Sequence, residues 1–232
     1  MNFENKLISG VFIKRYKRFF VDVKIYNKIV VAHCANTGSM LGLLSEGNKV
    51  WLTKSNNPNR KLKYTLQMIE INGSKVGVNT HLTNKIVLHA LKNNHIKEFN
   101  KDIEIKSEVK FGKNTRFDFL ITKGNYKAFI EVKNVTLSRK KGTAEFPDAI
   151  TVRGLKHINE LVKASEKNYK IFIIYLIQRD DCKAFTIAKD IDPDYASALI
   201  KAVKKKLNIL CYDCKFSSKG IKLNSKVNLK IK

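Results

Sequence analysis

The chain has 232 residues, which is enough for one large domain or two small ones, and its hydrophobic content of 44% excludes a disordered protein. Basic residues outnumber acidic ones by 45 to 20, and the formal net charge of +25 favours a polyanionic partner. The four cysteines lack the spacing of a disulfide framework, no signal-peptide core opens the sequence, and the longest apolar run, residues 171–177, is too short to span a bilayer. We therefore expect a cytoplasmic protein that does not enter a membrane.

Short β-like runs with polar turns between them fill the N-terminal third of the sequence. The runs lie at residues 10–14, 19–25, 29–34, 49–53, 64–71 and 75–78. Many short strands punctuated by glycine and asparagine favour a small antiparallel barrel or sandwich. We predict an OB-like β-barrel over residues 1–80.

Barrels of this kind bind strands of nucleic acid across one face through basic and aromatic side chains. Arginine is scarce, at seven residues against 38 lysines. A general bias toward lysine does not account for the arginines, so each arginine is a better candidate for a functional role than a lysine. The candidates for DNA contact in this domain are Arg15, Arg18, Arg60 and Lys61. The alternative is that these charges only solvate the barrel. For the nearby aromatic residues Trp51 and Phe19 we expect positions in the core.

The periodicity becomes helical after residue 83, with apolar residues at 86, 87, 90 and 91, and we place the domain boundary near residue 80. A strand of alternating apolar and charged residues follows at 103–111. Glu108 in this strand is a candidate metal ligand. Strict alternation also puts it on the face of Glu104 and Lys106, where it would only be solvated, and both interpretations stay open.

Residues 115–134 place acidic side chains inside strongly β-forming sequence and predict two strands joined by a tight Gly-Asn turn. Glu131 and Lys133 are two residues apart and so share a face of the second strand. If the hairpin closes at this turn, Asp118 on the first strand comes close to Glu131. Two carboxylates and one ammonium then converge.

Such a group suits metal-assisted hydrolysis of a phosphodiester. Asp118 and Glu131, with Glu108 as the third candidate, would hold Mg²⁺ or Mn²⁺, which polarises the phosphoryl group and lowers the pKa of a bound water. The Val132 carbonyl offers a further oxygen ligand, and Lys133 would position the water or stabilise the developing charge. An aspartate followed thirteen residues later by Glu-x-Lys resembles the core of the PD-(D/E)xK nuclease superfamily. The alternative is an ordinary hairpin with cross-strand ion pairs.

Residues 138–143 form a basic loop that we expect to be mobile and close to this site. A helix is predicted from residue 148 or 151 to about residue 167. Arg153, Lys156 and His157 lie at spacings of three and four on it, so we expect them to project together toward the metal and grip the phosphate. The alternative is one solvated face. His157 is not assigned proton transfer, because a lone histidine is more often structural.

The rest of the sequence predicts a buried central strand at 170–178, further strands at 185–187 and 209–216, and a helix at 195–207. With the preceding elements this makes an α/β sandwich with a mixed central sheet over residues 81–232, and an α+β protein overall. Cys211 and Cys214 have no second pair and lie in a predicted strand, so we expect no zinc or redox site there.

Seven short segments, in order along nearly the whole chain, form a specific pattern. They are RxxRF at 15–19, NTGSM at 36–40, NP and RK within 57–61, GVNT at 77–80, RxDF at 116–119, EVKNVTL at 131–137 and FPDAxTxRGxKH at 146–157. The pattern resembles the sugar fermentation stimulation protein family. The resemblance implies a DNA-binding protein with an OB-like N-terminal domain and a PD-(D/E)xK nuclease-like C-terminal domain.

We predict a protein that binds duplex or single-stranded DNA without sequence preference and carries a Mg²⁺-dependent phosphodiesterase site at Asp118, Glu131 and Lys133. A second hypothesis is a non-catalytic DNA-binding regulator of carbohydrate metabolism that keeps the nuclease fold. A third is an RNA-binding module. Retained carboxylates permit the chemistry without proving it, so the sequence leaves these hypotheses open.

Overall fold

The computed structural model describes residues 1–99, 102–113 and 115–231. The strands of its N-terminal part are β1 (Leu7–Tyr16), β2 (Phe20–Ile25), β3 (Lys28–His33), β4 (Lys49–Lys54), β5 (Tyr64–Ile71) and β6 (Ser74–Gly77). They pair in the order β3-β2-β1-β4-β5-β6, and a parallel pairing of β3 with β5 closes the sheet into a barrel. The predicted OB-like barrel is confirmed.

The barrel core follows from strand alternation. In β2, for example, Val21, Val23 and Ile25 are buried, while the residues between them are not. The expected core positions of Phe19 and Trp51 are wrong. Phe19 is exposed in the turn between β1 and β2, and Trp51 packs half-buried outside the barrel core, against the C-terminal part of the chain.

The C-terminal part begins with a 3₁₀ turn at Thr80–Leu82 and contains the helices α1 (Thr83–Lys92), α2 (Val152–Glu166) and α3 (Pro193–Lys204). Its strands are β7 (Glu104–Phe111), β8 (Thr115–Lys123), β9 (Tyr126–Val135), β10 (Leu137–Lys140), β11 (Thr143–Phe146), β12 (Lys170–Ile177), β13 (Ala184–Ile187), β14 (Leu207–Phe216), β15 (Ile221–Lys226) and β16 (Asn228–Leu229). Within the described ranges, no helix combines the length and the apolar character needed to cross a membrane.

The large sheet of this part has six strands in the order β15-β14-β12-β9-β8-β7 and is mixed, because β12 runs parallel to both β9 and β14 while the other pairs are antiparallel. Alternate residues of β12 enter two cores, with Ile174 packing on the α1 side and Ile173 on the side of α2 and α3. Burial of both faces explains the almost continuous apolar sequence of β12. The predicted α/β sandwich with a mixed central sheet is confirmed.

A second, four-stranded sheet pairs in the order β10-β11-β13-β16. Its first two strands occupy the segment that the sequence predicts to be a mobile basic loop. The Arg139 guanidinium donates to both carboxylate oxygens of Glu145 and to Asp190, so the segment folds as a hairpin tied by ion pairs.

Backbone contacts join the barrel to the C-terminal part. The Gly77 N–H at the end of β6 donates to the Gln178 carbonyl at 2.9 Å, and Val76 forms a β-bridge with Arg179. The side-chain amide of Gln178 in turn donates to Thr83 at the start of α1. The predicted boundary near residue 80 therefore falls at a segment that is bonded to the large sheet.

The first residues of the chain lie against its C-terminal hairpin. Asn2 forms an antiparallel bridge with Gly220, the Phe3 N–H donates to the Lys219 carbonyl at 2.8 Å, and the Met1 carbonyl accepts from the Ile221 N–H at 3.0 Å. These contacts place the N-terminal segment beside the turn that joins β14 to β15.

Candidate active site

The site forms where strands β8 and β9 separate. The two strands pair from Lys123 and Tyr126 as far as Phe119 and Ile130, whereas β9 stays paired with β12 up to Val135. The predicted Gly-Asn hairpin is therefore present. Past the last rung of the ladder, the space between β8 and β9 is filled by a side chain instead of a backbone pair.

That side chain is Asp118. Its Oδ2 accepts the Val132 N–H at 2.7 Å, and its Oδ1 accepts the side-chain amide of Asn84 on α1 at 2.7 Å. Burial raises the pKa of Asp118, and the charge of Glu131 raises it further, so that it reaches about 6 in spite of these two hydrogen bonds. Asp118 is thus rigidly held and is easier to protonate than an ordinary aspartate.

Glu131 is almost completely buried, with 3% of its surface exposed. Its Oε1 accepts the Lys133 ammonium at 2.7 Å and also contacts Nδ1 of His157 on α2. Burial would raise the pKa of Glu131, but the charge of Lys133 and the contacts of His157 hold it below its ordinary value. Its other oxygen, Oε2, is buried without a hydrogen-bond partner in the described part of the chain.

The structure thus brings Asp118, Glu131 and Lys133 together, as the sequence predicts. The two carboxylates are near enough for Glu131 to affect the pKa of Asp118, and the Lys133 side chain is largely buried beside them. The group combines two fixed carboxylates, one ammonium and one carboxylate oxygen without a partner. It can hold a cation through oxygen ligands and keep a positive charge next to it.

Glu108 does not join this group. It lies between the paired rungs Ser107–Phe119 and Val109–Phe117, opposite Asp118, but its side chain is largely exposed and lies 3.9 Å from the Arg116 guanidinium. In the ranges that the structure describes, no three histidine, cysteine, aspartate or glutamate side chains are arranged to hold a metal. The proposed third carboxylate therefore stays in solvent.

The backbone at Glu108 departs from regular strand geometry. Glu108 has a φ of +55°, in the left-handed region, and the strands change faces here. In β8, Phe119 packs on the α1 side and Phe117 on the α2 side, although residues two apart on a regular strand share a face. Such outliers concentrate at functional sites.

Of the three α2 residues predicted to project together, only His157 enters the site. Arg153 and Lys156 are exposed, and His157 is buried in contact with Glu131. The sequence carries a signal for this, because position 157 lies three residues after Gly154 and four before Leu161, both of which are buried. Helix α2 begins after Thr151 because the Thr151 hydroxyl caps it, accepting the Gly154 N–H at 3.1 Å.

The predicted DNA-contacting residues of the barrel have unlike environments. The Arg15 guanidinium donates to the backbone carbonyls of Asn36 at 2.7 Å and Gly38 at 3.0 Å, so it holds the loop after β3. Arg60 is half-buried and bonded to Thr65. Arg18 and Lys61 are exposed.

Aromatic side chains are also exposed on the outside of the barrel. Tyr16 and Phe20 stack with ring centroids 5.4 Å apart, and Phe19 and Tyr26 are exposed at 47% and 91%. Exposed aromatic rings next to lysine and arginine are typical of surfaces that stack nucleic-acid bases.

Comparisons with known proteins cover both parts of the chain. A family model described as the SfsA N-terminal OB domain matches residues 13–78, and one described as the sugar fermentation stimulation protein RE domain matches residues 81–220. The sugar fermentation stimulation protein homolog of Pelagibacter ubique is 53% identical over 229 residues, 99% of each chain. That of a Ruegeria species is 42% identical over 226 residues, which is 96% of this chain and 97% of the relative. A solved structure of Pyrococcus furiosus SfsA in complex with Ca²⁺ is similar with a TM-score of 0.90 and 26% identity, covering 100% of this chain and 98% of that one.

Proposed function

The chain belongs to the sugar fermentation stimulation protein family, with an OB domain and a nuclease-like domain, and from this premise we propose that it binds DNA without strong sequence preference and hydrolyses a phosphodiester bond with the help of Mg²⁺ or Mn²⁺. Asp118, Glu131 and Lys133 carry the chemistry.

The observation that carries this proposal is the unpartnered oxygen of Glu131 beside a second, half-buried carboxylate. A buried polar atom without a partner costs about 1–3 kcal/mol, and two carboxylates at close range disfavour each other's ionisation. One cation bound by both groups removes both penalties. The residues present therefore fit a hard divalent ion.

Two carboxylates are enough for this ion. Mg²⁺ commonly binds through one or two carboxylates together with waters and substrate phosphates, so the exposed position of Glu108 is no obstacle. When bound, such an ion polarises the phosphoryl group and lowers the pKa of a coordinated water. The Ca²⁺ in the similar Pyrococcus furiosus structure supports this assignment, because Ca²⁺ is also a hard cation that takes oxygen ligands.

The other residues position these groups. Asn84 and the Val132 N–H hold both oxygens of Asp118, and His157 holds Oε1 of Glu131, which leaves Oε2 for the cation. The Lys133 ammonium, already beside Glu131, stabilises negative charge that develops on the phosphoryl oxygens.

DNA binding follows from charge and surface chemistry. The net charge of +25 supplies attraction to phosphates that does not depend on sequence. The exposed rings of Phe19 and Tyr26 supply stacking, and the exposed Arg18 next to Phe19 supplies a phosphate contact on the barrel.

The test compares wild type with Asp118→Asn on duplex DNA, single-stranded DNA and RNA, each with Mg²⁺, with Mn²⁺ and with a chelator. Cleavage of DNA that needs the ion and is lost in Asp118→Asn supports the proposal. DNA binding without cleavage under every condition would favour the non-catalytic regulator, and a preference for RNA would favour the RNA-binding module.

A further inference from the structure

A separate cavity of about 300 Å³ lies where the barrel meets α1. This volume is at the lower end of the range for small-ligand sites. Its polar lining comes from both parts of the chain and includes His33, Thr53, Arg60, Thr65, His81 and Lys85. None of these residues belongs to the carboxylate group described above.

A directional chain of hydrogen bonds forms one wall. The His81 backbone N–H donates to Asn79 Oδ1 at 3.1 Å, so the other end of that amide, Nδ2, donates to Gln67 Oε1 at 2.9 Å. Gln67 Nε2 then donates to the Thr53 hydroxyl oxygen at 2.8 Å. A backbone N–H can only donate, so the direction of the whole chain is determined. The Thr53 hydroxyl oxygen accepts from Gln67, and the hydroxyl proton of Thr53 is left to donate to another group.

Thr65, the cross-strand neighbour of Thr53 in the β4–β5 ladder, repeats this arrangement. Arg60 Nη2 donates to the Thr65 hydroxyl oxygen at 2.7 Å, and a guanidinium has no acceptor atom. The Thr65 hydroxyl proton is therefore also left to donate. In the described part of the chain, neither Thr53 nor Thr65 has an acceptor for this proton. Two hydroxyl donors thus line one cavity, with the remaining N–H groups of Arg60.

The charged side chains of the cavity are mostly positive. Arg60 and Lys85 are cations, and the rings of His33 and His81 lie with their centroids 6.2 Å apart. Burial lowers the pKa of His33, and the charges of Arg60 and His81 lower it further, which is the effect of crowded positive groups. Among the residues that line the cavity, Glu4 is the one acid, and it is exposed.

We propose that this cavity binds a phosphate group, which accepts from the Thr53 and Thr65 hydroxyls and pairs with Arg60 and Lys85. Two hydroxyl donors beside two cations match an acceptor-only anion. Lys85 follows Asn84, the residue that holds Asp118, so the cavity adjoins the helix that supports the candidate active site. For the source of the phosphate the inference rests on the proposed function: a nucleic-acid strand places one of its phosphates here. A free mononucleotide is the other source of the same chemistry.

The first experiment needs neither DNA nor metal. Inorganic phosphate is titrated into the ¹⁵N-labelled protein at constant ionic strength, and the backbone amide signals of His33, Thr53, Thr65 and His81 are followed. We expect saturable shifts at these positions, affinity at least tenfold weaker in Arg60→Gln, and a smaller loss in Thr65→Val that Thr65→Ser restores. The control Lys24→Gln removes an equal charge from an exposed position on β2 and should bind phosphate as wild type does. Shifts without saturation, or equal affinity in Arg60→Gln and Lys24→Gln, would overturn the pocket.

The second experiment identifies the source by competition against phosphate. An oligonucleotide that displaces phosphate at lower concentration than a mononucleotide supports the strand, and displacement by the mononucleotide alone overturns that assignment. Arg60→Gln should weaken the oligonucleotide competition. Because phosphate binding is measured without metal or cleavage, loss of the pocket and failure of the proposed nuclease activity give different results.

Discussion

The carboxylate of Asp118 takes the place of a backbone partner for Val132, whose N–H it accepts at 2.7 Å. The β8–β9 ladder ends one residue earlier, at Phe119 and Ile130, so a side chain continues the hydrogen bonding that the strand backbone gives up. This substitution fixes a charged group between two strands of a sheet. It explains how a half-buried carboxylate with a raised pKa can be held between the strands.

Divalent-ion binding should separate the roles of the acidic and basic residues. We predict that Asp118→Asn loses Mg²⁺ and Mn²⁺ binding, because a ligand charge is removed. Lys133→Ala should keep most of it, because Lys133 contacts Oε1 of Glu131 and not the oxygen left for the ion. Any cleavage should be lost in both variants. Calorimetric titration of each ion, with and without DNA, gives the binding result. Absence of divalent-ion binding by wild type even with DNA would reduce the hairpin to an ion-paired scaffold.

Stability without metal should depend on pH through Asp118. Its pKa is about 6 in the folded protein and 3.8 as an ordinary aspartate, so the folded state binds more protons between these values. The Asp118 contribution is therefore fully present below pH 4 and is lost as the pH rises through 6, by at most about 3 kcal/mol. Denaturant unfolding with a chelator should show that Asp118→Asn gains stability relative to wild type from pH 4 to pH 7.5. Parallel curves for the two proteins would contradict the raised pKa.

His157 should act on the metal site through Glu131. Replacement by alanine removes one of the two contacts that hold Oε1, and the carboxylate can then turn its unpartnered oxygen away. We expect divalent-ion affinity to fall roughly tenfold or more, the usual effect of losing such a supporting contact. His157→Gln, which can still donate to Glu131, should recover part of the affinity. If both variants bind the ion as wild type does, His157 only fills space against Phe117.

Replacing Gly77 by any larger residue should destabilise the protein. A Cβ at this position would lie 2.4 Å from Oε1 of the fully buried Gln178, which has no room to move away. Gly77→Ala should lower the free energy of unfolding by about 1–3 kcal/mol. In a double-mutant cycle, Gln178→Ala should cancel part of that loss. Additive effects in the cycle would place the strain elsewhere.

DNA affinity should fall steeply with salt and depend more on the barrel than on α3. Each arginine or lysine that neutralises a phosphate contributes about one to the slope of log K against log salt. We predict that Arg18→Gln and Lys61→Gln each reduce this slope, whereas Lys205→Gln at the end of α3 leaves it nearly unchanged. Arg15→Gln is a poorer probe, because Arg15 holds the carbonyls of Asn36 and Gly38. A larger effect of Lys205 than of Arg18 in filter-binding or anisotropy measurements would place the DNA against α3 and not against the barrel.

The parts of this structure that follow from periodicity were predictable, and the parts that depend on local breaks in periodicity were not. Alternation and turn chemistry predict the β8–β9 hairpin and the meeting of Asp118 with Glu131. The same rule leaves Glu108 either a metal ligand or a solvated residue, and the structure shows it solvated. The rule does not predict the left-handed backbone at that residue, because no residue type there signals it. Arg139 shows a second limit. A basic segment looks mobile until its partners Glu145 and Asp190 are brought to it by the fold.

The pairing of Asn2 with Gly220 also constrains the order of events during synthesis. Ribosomes make the N-terminal side of a chain first, and the partner of Asn2 is made 218 positions after it. The barrel strands can pair as they emerge, but the segment before them cannot reach its final place until β14 and its turn have left the ribosome. Docking of residues 1–3 therefore has to wait for residues 219–221, and a nascent chain stalled before residue 219 would leave this segment accessible to proteases.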